Sequence, residues 1–284
     1  MKKAVNIWSF KEGTPIKKCI LAAKEAGYEG IELALNESGE LGLECSEREL
    51  LDIKSFAKEV GIELPSFATG LYWKYSFTSS DKSIREKAKY IAKKQLEFAA
   101  TLGADTILVV PGAVGVDFIP GAEVVSYDRA YDLSLEAIND LKDDAEKCNI
   151  AIGIENVWNK FLLSPLETRD FIDKIGSDFV GVYFDVGNVI YTGYPEQWIR
   201  ILGKRIKKVH FKDFRRNAGN IGGFVDLLEG DVNFAEVVKA LKEIGYTDYV
   251  TAEMSPYKND NENQVVINTS LSMDKILERK KGRI

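Results

Sequence analysis

Histidine is almost missing from this 284-residue chain: there is one, His210. That count excludes chemistry built on a cluster of imidazoles, such as a multi-histidine metal centre for phosphodiester cleavage. Cysteine is scarce as well, with Cys19, Cys45 and Cys148 scattered and no Cys-x-x-Cys pair among them. Three isolated thiols fit a reducing compartment without disulfides and leave no thiolate set for a structural zinc site. Basic residues are in the minority, 38 Lys and Arg against 44 Asp and Glu, for a formal charge of −6. An acidic chain is poorly matched to a nucleic-acid track or an anionic membrane surface, so neither partner is expected. No apolar run approaches the roughly 18 residues of a transmembrane helix. The opening Met1-Lys2-Lys3-Ala4-Val5-Asn6-Ile7-Trp8-Ser9-Phe10 is too short in apolar residues for a signal peptide and reads as a first strand. The expected location is the cytoplasm. Neither a glycine-rich dinucleotide fingerprint nor a P-loop motif occurs, so the nucleotide-binding α/β folds lose support.

What is present is an alternation of strand and helix from end to end. Apolar strand candidates begin near Ala4, Gly30, Leu64, Asp105, Ala151, Val180, Ile206 and Tyr249. Between them run helical patterns with a period near 3.6, as in Leu50, Ile53, Phe56, Ala57 and Val60, or Ile84, Ala88, Ile91, Ala92, Leu96 and Ala99. Gly27, Gly61, Gly103, Gly176, Gly203 and Gly245 each follow a helical run and precede a strand, where a left-handed helix end costs glycine little. Thr14-Pro15 and Ser164-Pro165 place a cap before a proline, and Ser164 with Glu167 has capping-box spacing. Eight β-then-α units joined by short connections predict a parallel sheet closed into a (β/α)₈ TIM barrel, a single domain over residues 1–284. The long loops 69–82, 111–126 and 213–231 follow strands, on the face where such barrels keep their sites. The basic tail 275–284 reads as a solvated helix end.

Four residues share one position in this pattern. Glu155, Asp185, His210 and Glu253 each stand at the end of a β-rich run, in strands five to eight. Three carboxylates and an imidazole suit a hard or borderline divalent ion: manganese first, with magnesium, cobalt or zinc as alternatives. Taken singly, a lone strand histidine is usually a hydrogen-bonded core residue, and a lone acid at a strand end usually caps the next helix. Four coincident placements change that reading, because burying unpaired carboxylates in apolar strands costs several kcal/mol and a metal removes the cost. Trp8 after the first strand, and Tyr72 with Trp73 after the third, are candidates to shape a pocket, or else pack under loops. Glu32 ends the second strand and could bond a sugar hydroxyl or a neighbouring loop. For a phosphate, the candidates are backbone N–H groups in Pro111-Gly112-Ala113-Val114-Gly115, or Lys212, Arg215 and Arg216.

The motifs Ile154-Glu155-Asn156, Phe184-Asp185-Val186-Gly187-Asn188, Val209-His210-Phe211-Lys212-Asp213 and Ala252-Glu253-Met254 resemble those of the xylose-isomerase-like barrels. The nearest branch is the sugar-phosphate isomerase/epimerase group, with the L-ribulose- and L-xylulose-5-phosphate 3-epimerases and the related D-tagatose and D-psicose 3-epimerases. The resemblance spans essentially the whole chain and is strongest from Ala151 to Met254. It implies one divalent metal on Glu155, Asp185, His210 and Glu253, with Glu155 and Glu253 doubling as the acid/base pair. It also implies substrate contacts at Asn188 and at Arg215 or Arg216. Asn188 stands where the free-ketohexose epimerases have a histidine, which favours the pentulose-phosphate form. The expected activity is ketose or ketose-phosphate 3-epimerisation through a cis-enediolate. Aldose–ketose isomerisation, hydroxypyruvate isomerisation, inosose dehydration and a catalytically inactive sugar-binding barrel are the alternatives. The expected partner is a small sugar or sugar phosphate, in a chain that resembles homodimeric and homotetrameric enzymes.

Overall fold

The structure, a computed structural model, describes residues 1–259 and 263–279. Eight parallel strands close into a barrel: β1 (Lys2–Asn6), β2 (Gly30–Leu35), β3 (Ser66–Thr69), β4 (Thr106–Val109), β5 (Ala151–Glu155), β6 (Val180–Asp185), β7 (Ile206–Phe211) and, after a two-stranded hairpin of β8 (Asp213–Phe214) and β9 (Phe224–Val225), β10 (Tyr249–Ala252). Closure comes from β1 against β10, with Ala4 beside Thr251. Outside the strands lie α1 (Ile16–Glu25), α2 (Glu47–Val60), α3 (Lys82–Leu102), α4 (Tyr127–Cys148), α5 (Pro165–Ile175), α6 (Pro195–Leu202), α7 (Phe234–Glu243) and α8 (Gln264–Ile276). The expected (β/α)₈ barrel is therefore the fold. Among the described residues no helix is long and apolar enough to cross a membrane. Of the basic tail, residues 280–284 lie outside the described residues.

The helices follow from their stripes. In α3, Ala88, Ile91, Ala92, Leu96 and Ala99 are fully buried at spacings of three and four, one face against the sheet. All six glycines expected at helix ends have positive φ. Of the two expected caps, Ser164 accepts from the Glu167 N–H with Pro165 in the first turn of α5. The Glu167 carboxylate reaches past it to the Leu163 N–H, so the box is displaced by one residue. Thr14 does not cap α1; Pro15 itself stands at the cap position, with no side-chain bond.

Two local features set the register of the site. Along the β6–β7 pair, Val182 faces Ile206 but Tyr183 faces Lys208, so β7 carries a bulge at Lys207. That extra residue brings Asp185 level with His210, and His210 in turn lies beside Thr251 of β10. At the opposite end of the barrel Lys208 is buried and paired with Asp105 at 2.9 Å and with Asp248. Its charge is thereby neutralised within the barrel.

Candidate metal centre

Strand ends deliver the four expected ligands to one point. Glu155 is the last residue of β5, Asp185 the last of β6, His210 lies in β7, and Glu253 follows β10. One ligand atom from each lies within 4.8 Å of the other three. His210 Nδ1 stands 2.9 Å from Glu253 Oε2, 3.5 Å from Glu155 Oε1 and 3.9 Å from Asp185 Oδ2. His210 and Asp185 are fully buried, and Glu155 nearly so.

The imidazole is aimed from behind. Glu32, fully buried at the centre of β2, takes His210 Nε2 on Oε1 at 2.7 Å, which leaves Nδ1 facing the carboxylates. The remaining lone pairs of Glu32 are filled by Asn6 at 2.6 Å, Ser66 at 2.6 Å and the Tyr183 hydroxyl. Asp185 is steadied by a reciprocal pair in which its N–H donates to Asn156 Oδ1 and its C=O accepts from Asn156 Nδ2. The Asn188 N–H donates to Asp185 Oδ1 at 2.9 Å.

Among the described residues four buried side-chain polar atoms make no well-formed hydrogen bond, and two of them, Asp185 Oδ2 and His210 Nδ1, sit in this cluster with only ionic neighbours, Lys212 and Glu253. Buried polar atoms are rarely left so, because each costs about 1–3 kcal/mol. Both belong to the four-residue cluster, and a cation bound there satisfies both at once. The donor set of three carboxylates and one imidazole fits a hard or borderline divalent ion.

Electrostatics point the same way. Burial lifts Glu155 to about 7. It pushes Glu253 upward too, but Lys212 and His210 outweigh it and hold that carboxyl at about 2. Burial also raises Asp185. His210 rises well above the usual imidazole range, since Glu32, Glu155 and Glu253 overcome a burial penalty that acts downward. A metal held by the imidazole would compete with that proton.

The cavity above the cluster measures about 200 Å³. Glu155, Glu253, Lys212, Asn188 and Trp8 line it, with Trp73, Phe118, Trp158, Ile221 and Phe224 forming an aromatic and apolar rim. Other expected residues lie elsewhere. Tyr72 is buried, gives its hydroxyl to Gln95 and packs on Phe77; Trp73, its neighbour, reaches the cavity instead. Arg215 turns out to Glu229, and Arg216 donates to the Ile190 C=O. The side chains of residues 215 and 216 diverge from the cavity because the β8–β9 hairpin turns the chain away after Asp213. The basic group that does reach the ligands is Lys212, 2.9 Å from Glu253 Oε1 and 3.4 Å from Asp185 Oδ2. The glycine turn at 111–115 is no anion cradle: Ala113 N–H is taken by Thr78, and the N–H groups of Val114 and Gly115 by the Asn159 C=O.

Sequence reasoning gave Glu32 the wrong neighbour. It meets neither sugar nor loop but the histidine, and a carboxylate in an otherwise apolar Gly30–Leu35 strand was the available signal. The roles of Tyr183, Ser66 and Asn156 left no trace in the pattern.

Comparison with known proteins adds to this geometry. A family model described as xylose isomerase-like TIM barrel matches residues 20–272. An L-ribulose-5-phosphate 3-epimerase from Salmonella heidelberg (strain SL476) is 23% identical over 265 residues, covering 89% of this chain and 88% of its own. A crystal structure of D-psicose 3-epimerase with D-tagatose, from Clostridium cellulolyticum H10, superimposes with a TM-score of 0.82 at 18% identity, covering 98% of this chain and 99% of its own. The IOLI protein with a bound zinc atom gives 0.80 at 17% identity, covering 98% and 99%.

Proposed function

The chain belongs to the xylose isomerase-like TIM barrel family, and we propose that within it this protein is a divalent-metal-dependent epimerase that inverts C3 of a ketose or ketose phosphate. The observation that carries this reading is the convergence of Glu155, Asp185, His210 and Glu253 at the strand ends, with Asp185 Oδ2 and His210 Nδ1 buried there without a well-formed hydrogen bond. A relative named for 3-epimerisation and a structural neighbour of the same kind support C3 inversion over aldose–ketose isomerisation. Glu155, Asp185, His210 and Glu253 would hold the ion, manganese in our reading.

An ion held there would supply Lewis acidity to a ketose carbonyl, which would make the proton on the adjacent hydroxyl-bearing carbon, C3, removable. One glutamate takes that proton and leaves a cis-enediolate; the other returns a proton from the opposite face. Glu155 and Glu253 are the two, and running the reaction backward exchanges their roles. Glu32 fixes the imidazole plane throughout. Lys212 neutralises surplus negative charge on Asp185 and Glu253, and Trp8, Trp73 and Phe224 exclude water. Asn188, which lines the same cavity and gives its Nδ2 to the Asn156 C=O, would meet a substrate hydroxyl through Oδ1.

Proton exchange followed by NMR in D₂O with added manganese tests this, using L-ribulose, L-ribulose 5-phosphate, D-fructose and D-tagatose. Deuterium entering at C3 together with a new epimer is the expected result. Deuterium at C1 with aldose formation makes the protein an aldose–ketose isomerase, and no exchange in any sugar removes epimerisation altogether.

A further inference from the structure

A second cavity, of about 450 Å³, lies beside the one above the metal ligands and shares the wall residues Phe118, Val157, Trp158, Asn188 and Ile221 with it. Nothing in the chemistry described so far uses it. At about 200 Å³ the first cavity is smaller than the roughly 300–1,000 Å³ of most small-molecule sites, so a ligand that fills a site of usual size extends into the second. The second is walled mainly by Trp158, Phe161, Leu162, Tyr191 and Trp198. Tyr191 and Ile221 at its edge are about half exposed.

Its charge is balanced. Its charged lining residues, Asp117 and Lys160, pair with each other at 2.8 Å. The nearby cations are also engaged: Lys212 by Glu253 and Asp185, Arg215 by Glu229, Arg216 by the Ile190 C=O. Among the described residues the one cation that lines this cavity, Lys160, is paired with Asp117, and Arg216 is not part of the lining, while a ring with an apolar face finds aromatic walls. The segment that forms one wall is held in a costly shape: Lys160 and Leu162 both have left-handed backbones, at φ 56° and 52°. Such strain in non-glycine residues persists where the surroundings enforce it and is concentrated at ligand sites.

We propose that this cavity holds an uncharged ring substituent, glycosyl or aryl, carried by the ketose whose reacting carbon sits at the metal cluster. The inference rests on the ketose-epimerase reading for the reacting end, and on the second cavity alone for the substituent.

Two measurements test it. The first compares kcat/KM for D-fructose, D-fructose 6-phosphate and isomaltulose, in which a glucose ring is joined to the far end of fructose, by deuterium exchange in D₂O with manganese. Isomaltulose is expected to be preferred over both by at least about tenfold. Arylated fructose at the same position separates the aryl source from the glycosyl one. The second needs no turnover: phenyl β-D-glucopyranoside, which has no ketone, is titrated while tryptophan fluorescence is read. Saturable quenching is expected, weakened by at least about tenfold in Thr192→Phe, whose exposed parent residue lines only the second cavity. Fructose or its phosphate preferred, with no saturable quenching, overturns the proposal and leaves the epimerase reading standing. No exchange in any ketose sinks that reading, and the titration then decides alone: quenching sensitive to Thr192→Phe keeps the ring site, and its absence ends it. Quenching that disappears as the protein dimerises at high concentration assigns the cavity to a second copy of the chain and overturns the proposal.

Discussion

His210 is gripped by Glu32 on one nitrogen and faces Asp185, Glu155 and Glu253 with the other. The backing carboxylate decides which nitrogen is free to ligate. Replacing Glu32 by Gln keeps the volume but turns an amide N–H toward donors at Asn6, Ser66 or Tyr183. Metal affinity should then fall about 10–100-fold with the fold intact, as checked by competition with a chelator and by circular dichroism. Unchanged affinity would make Glu32 a packing residue. Glu155→Gln and Glu253→Gln should each lower kcat by about 10²–10⁴, and steady-state rates in the deuterium-exchange assay measure this. Retained activity in either variant removes that residue from the pair. At this scale the convergence of Glu155, Asp185, His210 and Glu253 was legible, because a charged residue closing an apolar run is visible in one dimension. Lys212 against Arg215 and Arg216 was not: all three follow the histidine within six positions, and only the course of the hairpin decides which points inward.

Among the elements, the β8–β9 hairpin is the one that periodicity missed. Its strands are two residues each, too short for an alternating pattern to show. Besides its own pairing and the Phe214–Phe224 contact, one side chain gathers the segment. The Asp213 carboxylate, buried at the root of the hairpin, accepts from the N–H groups of Phe214, Leu228, Gly230 and Val232. Bonds to a charged acceptor are worth about 1.5–3 kcal/mol each when the partner is lost, so Asp213→Ala should destabilise the protein by several kcal/mol. Because the same hairpin carries Ile221 and Phe224 into the cavity wall, KM should rise as well. Thermal melting and substrate titration read the two effects, and a variant with normal melting and normal KM would show that the loop is held otherwise. The eight strands were legible for the opposite reason. Long apolar runs separated by helix-ending glycines repeat with little interruption, and the starts read from sequence fall within two residues of those observed. Thr14-Pro15 failed as a cap signal because α1 begins one residue later than the motif requires.

For the molecule as a whole, barrel closure is what turns four sequence positions into one site. Residues 155, 185, 210 and 253 are far apart in the chain, yet their strands β5, β6, β7 and β10 are consecutive neighbours in the barrel. An ion bound across them ties together a quarter-turn or more of the barrel wall, so binding must stabilise the fold. At a free concentration about 100 times Kd the linkage is worth about 2.7 kcal/mol, which should raise Tm by about 5 °C in a chain of this size. A melting curve indifferent to manganese and to chelator would contradict that coupling. The most direct measurement is a calorimetric manganese titration of the chelator-stripped protein beside His210→Ala. The account predicts one ion per chain in the parent protein and at least about 100-fold weaker binding in the variant. No uptake by the parent, or equal uptake by both, would contradict it.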